Sequence, residues 1–191
     1  MAYNRCRKKG GFQYICDSVK EGRFPQLTTI GTLQSLSVPG YSAICKMCRG
    51  RIHFSIASTI IHESCNHICS EVPSIVVALD YGLAPENRLP SQYHDMIDAV
   101  LWIKNQTCYL YGVSCSGNIS FNSALKLLNK KLEPLCINGA ILNQPLFGGK
   151  MRIKSEMRLA TDPFFPLPVI DVLWDFALPK GTDRDMFFPI G

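Results

Sequence analysis

The sequence predicts an α/β protein with a mostly parallel sheet and helices on both faces. Three short apolar runs, at residues 74–80, 107–112 and 135–142, have the length and the aliphatic or aromatic content of buried strands. Segments in which apolar residues recur at helical spacing separate these runs. Strands that alternate with helices form parallel sheets with the crossover helices packed on the two faces.

Composition indicates one globular domain. The 191 residues are 47% hydrophobic and 18% charged, which is typical of a folded protein. No apolar run approaches the ~18 residues that a membrane span needs, and the N-terminal residues do not resemble a secretory signal. We therefore expect a cytoplasmic protein whose nine cysteines are reduced, without a membrane partner.

The net charge of +5 is concentrated near the N-terminus. Residues 1–51 carry nine Lys or Arg and two Asp or Glu, a balance of +7, whereas the remainder carries −2. Residues 1–50 show no strand or helix period, so we interpret them as a divergent or poorly ordered segment. They match no nucleic-acid module, and we expect no nucleic-acid partner.

Each predicted element has its own pattern. Residues 56–68 and 169–178 are each predicted to form a helix. Ser91 is a candidate N-cap for a further helix, which follows a proline-bounded loop. The apolar faces of the two central helices are predicted to be Tyr93, Met96, Ile97, Val100 and Leu101 in the first, and Phe121, Ala124, Leu125 and Leu128 in the second.

The motif that indicates a catalytic function follows the second predicted strand. Gly112-Val-Ser114-Cys115-Ser116-Gly117 lies where an apolar strand ends and a helix begins, which is the context of the nucleophile elbow Gly-x-Ser-x-Gly. Ser114 is the candidate catalytic nucleophile, Gly112 satisfies the first glycine position, and Ser116, followed by Gly117, stands in place of the second. We expect Ser116 to crowd the contact between strand and helix. The backbone N–H of Cys115 is a candidate oxyanion donor.

A family resemblance covers about residues 53–190. The segments Asp80-Tyr-Gly-Leu-Ala-Pro-Glu-Asn-Arg-Leu-Pro90, Leu142-Asn-Gln-Pro-Leu-Phe-Gly-Gly149 and Leu178-Pro-Lys-Gly-Thr-Asp-Arg-Asp185 resemble those of hormone-sensitive-lipase-like plant carboxylesterases. The gibberellin receptors and isoflavanone dehydratases are similar members of this group. The resemblance implies an α/β-hydrolase fold and hydrolysis of small carboxylic esters through an acyl-enzyme on Ser114, with no cofactor.

The same resemblance divides the chain. It implies a partial hydrolase domain over residues 51–191, in which 146–191 belong to a lid, and we expect a domain truncated after the lid begins. Where the family carries a glycine-rich oxyanion loop, this chain keeps Gly50 as the second candidate donor.

The family's catalytic acid and histidine follow the serine in the chain. All four histidines of this sequence, at positions 53, 62, 67 and 94, precede Ser114. A serine without a base is a poor nucleophile, so we expect impaired activity. Two alternatives stay open: a receptor-like protein that binds a small molecule without hydrolysing it, and a truncated pseudo-enzyme.

A zinc module is a further, minor alternative. Cys45 and Cys48 form a C-x-x-C pair, and Cys65 and Cys69 follow at roughly a zinc-finger interval. Against it, Cys65 and Cys69 fall on the predicted helix 56–68 or just after it, which leaves an isolated pair. We therefore predict no metal site.

Overall fold

A computed structural model describes residues 11–17, 42–47, 64–65, 67–68, 70–72, 74–103 and 107–187, with the backbone alone for the first two ranges and for residues 80, 186 and 187. Within this part, one sheet has the strand order β1-β3-β2-β4-β5. Strand β1 is antiparallel to β3, and the other pairings are parallel. The strands are β1 (Gly11–Asp17), β2 (Ser42–Met47), β3 (Ser74–Asp80), β4 (Thr107–Val113) and β5 (Cys136–Asn143). The predicted mostly parallel sheet is confirmed.

The helices of the described part follow the predicted alternation. They are α1 (Ser91–Trp102), α2 (Cys115–Leu128), a short α3 (Lys154–Arg158) and α4 (Leu167–Ala177), and a 3-10 turn covers Arg184–Phe187. The helix predicted at 169–178 corresponds to α4. Most of the helix predicted at 56–68 lies outside the described residues, although every described position from 64 to 71 is helical.

The two faces of β3 pack against different layers. Ile75, Val77 and Leu79 are buried in the main core, which also contains the inner side chains of α1 and α2. The alternate residues Val76 and Ala78 are buried on the opposite face with Cys65, from the helical residues before β3. This alternation follows from the period of two along a strand, and it confirms helices on both faces.

Two strands lie where the sequence indicated no regular structure. Strands β1 and β2 both fall within residues 1–50, and β2 is central, between β3 and β4. Its sequence Ser-Ala-Ile-Cys-Lys-Met has no strong period of two, so its strand conformation depends on partners that are distant in sequence. Our division of the chain at residue 50 stays a prediction.

Three details of the helices were predicted wrongly. Pro90, not Ser91, occupies the N-cap of α1, and no side chain caps that end. Leu101 and Leu128 are 43% and 76% exposed. In α2 the buried face consists mainly of small and polar residues; of the predicted apolar face, Ala124 packs against the core, whereas Leu128 does not.

No helix among the described residues is long and apolar enough to cross a membrane.

Candidate active site

Ser114 occupies a strained turn between β4 and α2. Its φ and ψ are 55° and −121°, outside the conformations that side-chain-bearing residues ordinarily adopt. Such a conformation costs about 1–3 kcal/mol and persists only where its surroundings enforce it. The strain therefore falls on the residue that the sequence predicted as the nucleophile.

Backbone hydrogen bonds hold this turn from two sides. The Ser114 N–H donates to the carbonyl of Asn143, at the end of β5 (3.0 Å). The Ser114 carbonyl accepts from the N–H groups of Gly117 and Leu146, both at 2.9 Å. The serine is thus fixed to the neighbouring strand, to its own helix and to the loop that leads to the lid.

The two predicted glycines are required by close approach. A Cβ added at Gly112 would lie 2.1 Å from the carbonyl oxygen of Ser116, far inside contact distance. A Cβ at Gly117 would lie 2.9 Å from the Cβ of Pro145. Gly112 lets the helix fold back over its strand, and Gly117 lets the loop after β5 pack on the helix.

Ser116 closes the turn instead of crowding it. Its hydroxyl accepts from the Val113 N–H (2.9 Å) and donates to the Val113 carbonyl (2.7 Å). The side chain is buried, and it satisfies backbone groups that the turn removes from the sheet. The expectation of steric crowding was wrong because serine supplies the donor and acceptor that glycine lacks.

Sequence reasoning missed Asn118, a buried residue one turn into α2. Its Oδ1 accepts from the Tyr93 hydroxyl (3.0 Å) and from the amide of Asn122 (3.2 Å), and its own amide donates to the Leu146 carbonyl (3.2 Å). Burial raises the pKa of Tyr93 and keeps its phenol as a donor. The available signal was a polar face at helical spacing, Asn118 with Asn122.

The Ser114 side chain itself is exposed, and the Cys115 thiol beside it is half-buried. Burial raises the pKa of the Cys115 thiol, although the Ser114 hydroxyl and the N–H of Cys115 partly offset this effect. The thiol therefore stays protonated at neutral pH. The N–H of Cys115 lies in the first helical turn, where no intrahelical acceptor exists. Gly50 lies outside the described residues.

No imidazole is hydrogen-bonded to Ser114 within the described part of the chain. His67 and His94 are both exposed, and His53 and His62 lie outside this part. Two of the carboxylates that follow Ser114 have partners in the lid region: Asp162 accepts from the N–H groups of Phe164 and Phe165, and Asp183 pairs with Lys150. The described residues bring together the candidate nucleophile, Ser114, and one candidate oxyanion donor, the N–H of Cys115.

The zinc prediction is tested only in part. The described residues contain no cluster of three or more potential metal ligands. Cys65 is buried against Val76 and Ala78. The side chain of Cys45 and the whole of Cys48 and Cys69 lie outside the description, so the prediction of no metal site stays a prediction and the four-cysteine alternative stays open.

The lid region, our name for residues 146–191, which are predicted to form a lid, is held by ion pairs as well as by apolar contacts. Asp171 of α4 pairs through one carboxylate oxygen with Arg152 and with Arg184, the second at 2.6 Å. These guanidinium groups, Arg184 first, hold the pKa of Asp171 below its usual range. Arg88 donates to the carbonyls of Asp175 and Leu178, which ties α4 to the loop before α1.

A cavity of about 90 Å³ lies where this loop, the start of α2 and helix α4 meet. Its walls include Cys115 but not Ser114. Most of the lining residues are apolar: Tyr81, Leu83, Ala84, Leu89, Gln92, Cys115, Asn118, Ile119, Leu146, Leu173, Trp174 and Ala177. The cavity is therefore adjacent to the candidate nucleophile but is not the surface on which the serine is exposed.

The strained serine after a parallel strand agrees with a family match over residues 50–190, to proteins described as having the α/β hydrolase fold. The chain belongs to this α/β-hydrolase family. Solved esterase structures support the fold: a fungal esterase from Rhizomucor miehei superposes with a TM-score of 0.69 over 96% of this chain and 56% of its own, at 16% identity.

Curated plant proteins are more similar in sequence. The 3-O-acetylpapaveroxine carboxylesterase CXE2 of Papaver somniferum is 39% identical over 155 residues, covering 71% of this chain and 50% of that protein. The gibberellin receptor GID1B of Arabidopsis thaliana is 34% identical, covering 70% and 39%. The chain spans about half the length of the curated relatives it matches, or somewhat less. The predicted resemblance to plant carboxylesterases and gibberellin receptors is confirmed.

Proposed function

We propose that Ser114 is the nucleophile of a carboxylic-ester hydrolase that acts on small esters. The strained backbone of Ser114 at the N-terminus of α2 carries this proposal, because it exposes the hydroxyl beside helix N–H groups that can donate hydrogen bonds to an oxyanion. In the reaction, Ser114 Oγ would attack the ester carbonyl and lose its proton to a base. The acyl-enzyme would form as the alcohol leaves, and water would then release the acid.

The N–H of Cys115, with Gly50 as the second candidate, would bind the oxyanion in both steps. The base is the component that the described surroundings of Ser114 do not supply. For the 191 residues alone we therefore expect hydrolysis of p-nitrophenyl acetate no faster than by Ser114→Ala. Added imidazole supplies a base from solution, and we expect it to raise the rate of the unsubstituted chain above that of Ser114→Ala in the same buffer.

Two controls make this test specific. Cys115→Ser removes a thiol that could itself be acylated and should keep the serine-dependent rate, and Ser120→Ala removes a buried hydroxyl elsewhere in α2. Mass spectrometry should find the acetyl group on the peptide that contains Ser114. Equal rates for the unsubstituted chain and Ser114→Ala in imidazole would contradict ester hydrolysis at this serine.

A receptor-like role is the second candidate. It is favoured by the missing imidazole partner of Ser114 in the described residues and by the similarity to a gibberellin receptor. A binding protein needs the shape of the site but not the hydroxyl, so Ser114→Ala should bind an ester probe as tightly as the unsubstituted chain. A large loss of affinity in that variant would contradict this role.

We also propose that the protein resides in a reducing compartment such as the cytoplasm. Cys108, Cys115 and Cys136 are thiols rather than disulfides, and Cys136 is exposed to solvent. Peptide mapping without reductant should recover all three as thiols. A disulfide at any of them in protein isolated from cells would contradict the assignment.

A further inference from the structure

Three hydrogen bonds join Ser114, Leu146 and Asn118 in a closed ring at the turn that contains the serine. The Leu146 N–H donates to the Ser114 carbonyl (2.9 Å), and the side-chain amide of Asn118 donates to the Leu146 carbonyl (3.2 Å). The backbone N–H of Asn118 donates to the Ser114 carbonyl (3.3 Å) and closes the ring. The peptide groups on both sides of Leu146 are therefore fixed, one by the turn and the other by Asn118.

The side chain of Asn118 can hold Leu146 because its other end is also bonded. Its Oδ1 accepts from the Tyr93 hydroxyl (3.0 Å) and from the side-chain amide of Asn122 (3.2 Å). This leaves Nδ2 as the atom that donates to Leu146. Asn118, Tyr93 and Asn122 are all buried, where the loss of a hydrogen bond is costly. The position therefore needs a side chain that accepts at one end and donates at the other.

Backbone strain shows what this ring of hydrogen bonds holds in place. Among the described residues other than glycine, a positive φ occurs at Ser114 (55°) and at Gln144 (45°). Gln144 lies between Asn143, whose carbonyl accepts from the Ser114 N–H, and Leu146 of the ring. Strained conformations persist only where their surroundings enforce them. Asn118 supplies a side-chain bond from the helix that follows Ser114 to the loop that contains Gln144.

We propose that Asn118 is a positioning residue, which holds the Ser114 hydroxyl and the Cys115 N–H in the geometry needed to attack an ester. It acts through Leu146 rather than on the ester itself. The inference rests on the proposed role of Ser114 as a nucleophile. A displacement of about 1 Å near the reacting atoms can lower a rate about 100-fold. We therefore expect the loss of the Asn118–Leu146 bond to lower the serine-dependent rate at least about tenfold.

Asn118→Asp tests the proposal, because its carboxyl has nearly the shape of the amide and can be switched by pH. The neutral acid can donate to the Leu146 carbonyl, whereas the carboxylate cannot and is repelled by it. Burial raises the pKa of a carboxyl, so both forms should be reached between about pH 6 and 8. The rate is hydrolysis of p-nitrophenyl acetate in imidazole, in excess of the same chain carrying Ser114→Ala. The variant should match the unsubstituted chain at low pH and fall at least about tenfold below it at high pH.

The ratio of the two rates at each pH removes the titration of imidazole, which is common to both chains. Tyr93 and Cys115, titratable side chains near Asn118, have pKa values raised by burial and stay protonated in this range. Asn129→Asp is the matched control, because it makes the same change at the exposed C-terminal end of α2 and should give a ratio near one throughout. A purely structural role for Asn118 predicts a lower melting temperature with a ratio near one at every pH. That result would overturn the proposal.

Hydrogen exchange separates this proposal from the esterase test. Exchange of the Leu146 N–H, followed by NMR, should be at least about tenfold faster in ionised Asn118→Asp than in the unsubstituted chain at the same pH. It should be equal in the two chains when the carboxyl is neutral. An unsubstituted chain no faster than Ser114→Ala would defeat the proposed nucleophile, and exchange at Leu146 would then decide alone whether Asn118 holds the turn. Unchanged exchange would overturn the proposal in either case.

A second variant covers the case in which a buried carboxylate unfolds the chain, which circular dichroism would reveal. Asn118→Ala removes the bond to Leu146 without adding a charge. It should show the lowered rate and the fast exchange of Leu146 at every pH. A folded Asn118→Ala chain with the rate and the exchange of the unsubstituted chain would contradict a positioning role.

Discussion

The elbow around Ser114, with the helices packed behind it, and the lid region are stabilised by different kinds of interaction. Helix α1 buries six of its 12 residues, five of them in the main core. Helix α4 has an apolar sequence, with two aspartates among 11 residues, yet Trp174 is its single buried side chain. Several large side chains near it are exposed, including Phe164 at 88% and Val172 at 49%.

We therefore expect substitutions in the elbow and in the lid region to affect stability in different ways. The elbow depends on close backbone approach and on buried hydrogen bonds, so a change of one atom there should affect the whole fold. The lid depends on Trp174, on the bonds of Arg88 and on an ion cluster around Asp171. Changes there should be smaller and should depend on pH and salt.

Gly112→Ala should lower the free energy of unfolding more than the other substitutions, and it tests the close packing at the elbow. The new Cβ would lie 2.1 Å from a backbone oxygen that cannot move without shifting α2. Overpacking of this kind costs about 3 kcal/mol or more in the free energy of unfolding. Urea titration followed by circular dichroism measures the loss.

Gly139→Ala is the matched control. This glycine lies on the neighbouring strand β5, and the nearest atom to an added Cβ is Cδ1 of Tyr109, at 3.9 Å. The substitution should change stability by less than about 0.5 kcal/mol. If both alanines destabilise equally, close approach at the elbow is not what the fold depends on.

The elbow was also the part that the sequence revealed best. Gly112, Ser114 and Gly117 lie together in one turn, because the motif is local and its steric needs can be read from the residue types. Strand β2 could not be predicted, because its pairing with β3 and β4 is set by distant segments. Asn118 was missed because its partners Tyr93 and Leu146 are 25 and 28 residues away.

The inner face of α2 shows a second limit of sequence patterns. Gly117, Ser120 and Ser123 are buried, whereas Leu128 is exposed. Small residues let the helix approach the sheet closely, while Ile119 and Leu127 supply the large apolar side chains that it buries in the core. The predicted apolar face was correct at Ala124, which packs against the core, and wrong at Leu128.

Two buried serines of α2 test how much the hydrogen bonds of the elbow contribute to stability. Ser116→Ala leaves the N–H and carbonyl of Val113 without the hydroxyl that binds both, which should cost about 1–3 kcal/mol. Ser120 has a buried hydroxyl with no partner among the described residues, so Ser120→Ala should be neutral or slightly stabilising. Thermal melts of the two variants compare the same chemical change. Equal destabilisation would mean that the Ser116 bonds contribute nothing specific.

Asp171→Asn should change the free energy of unfolding less than Gly112→Ala or Ser116→Ala, and it tests the ion pairs of the lid region. It weakens the ion pairs with Arg152 and Arg184, which are partly exposed. Ion pairs at the surface contribute up to about 1 kcal/mol each to the free energy of unfolding. Because the pKa of Asp171 is lowered in the folded protein, its contribution is fully present above the usual carboxyl pKa of about 3.9. It is lost as the pH falls through the lowered folded value. The difference between the unsubstituted protein and the variant should therefore be constant from about pH 5 to 7 and shrink below about pH 4.

Asp175→Asn is the control that distinguishes the loss of the Asp171 ion pairs from the loss of one negative charge on α4. Asp175 lies one turn further along α4 and is exposed, and its backbone carbonyl rather than its carboxylate receives Arg88. Both substitutions remove one negative charge from the same helix, so repulsion among the remaining charges changes alike. Only Asp171→Asn should show the pH-dependent difference, and added salt should reduce it. If Asp175→Asn gave the same profile, the lid would be held by its overall charge and not by the carboxylate that Arg152 and Arg184 share.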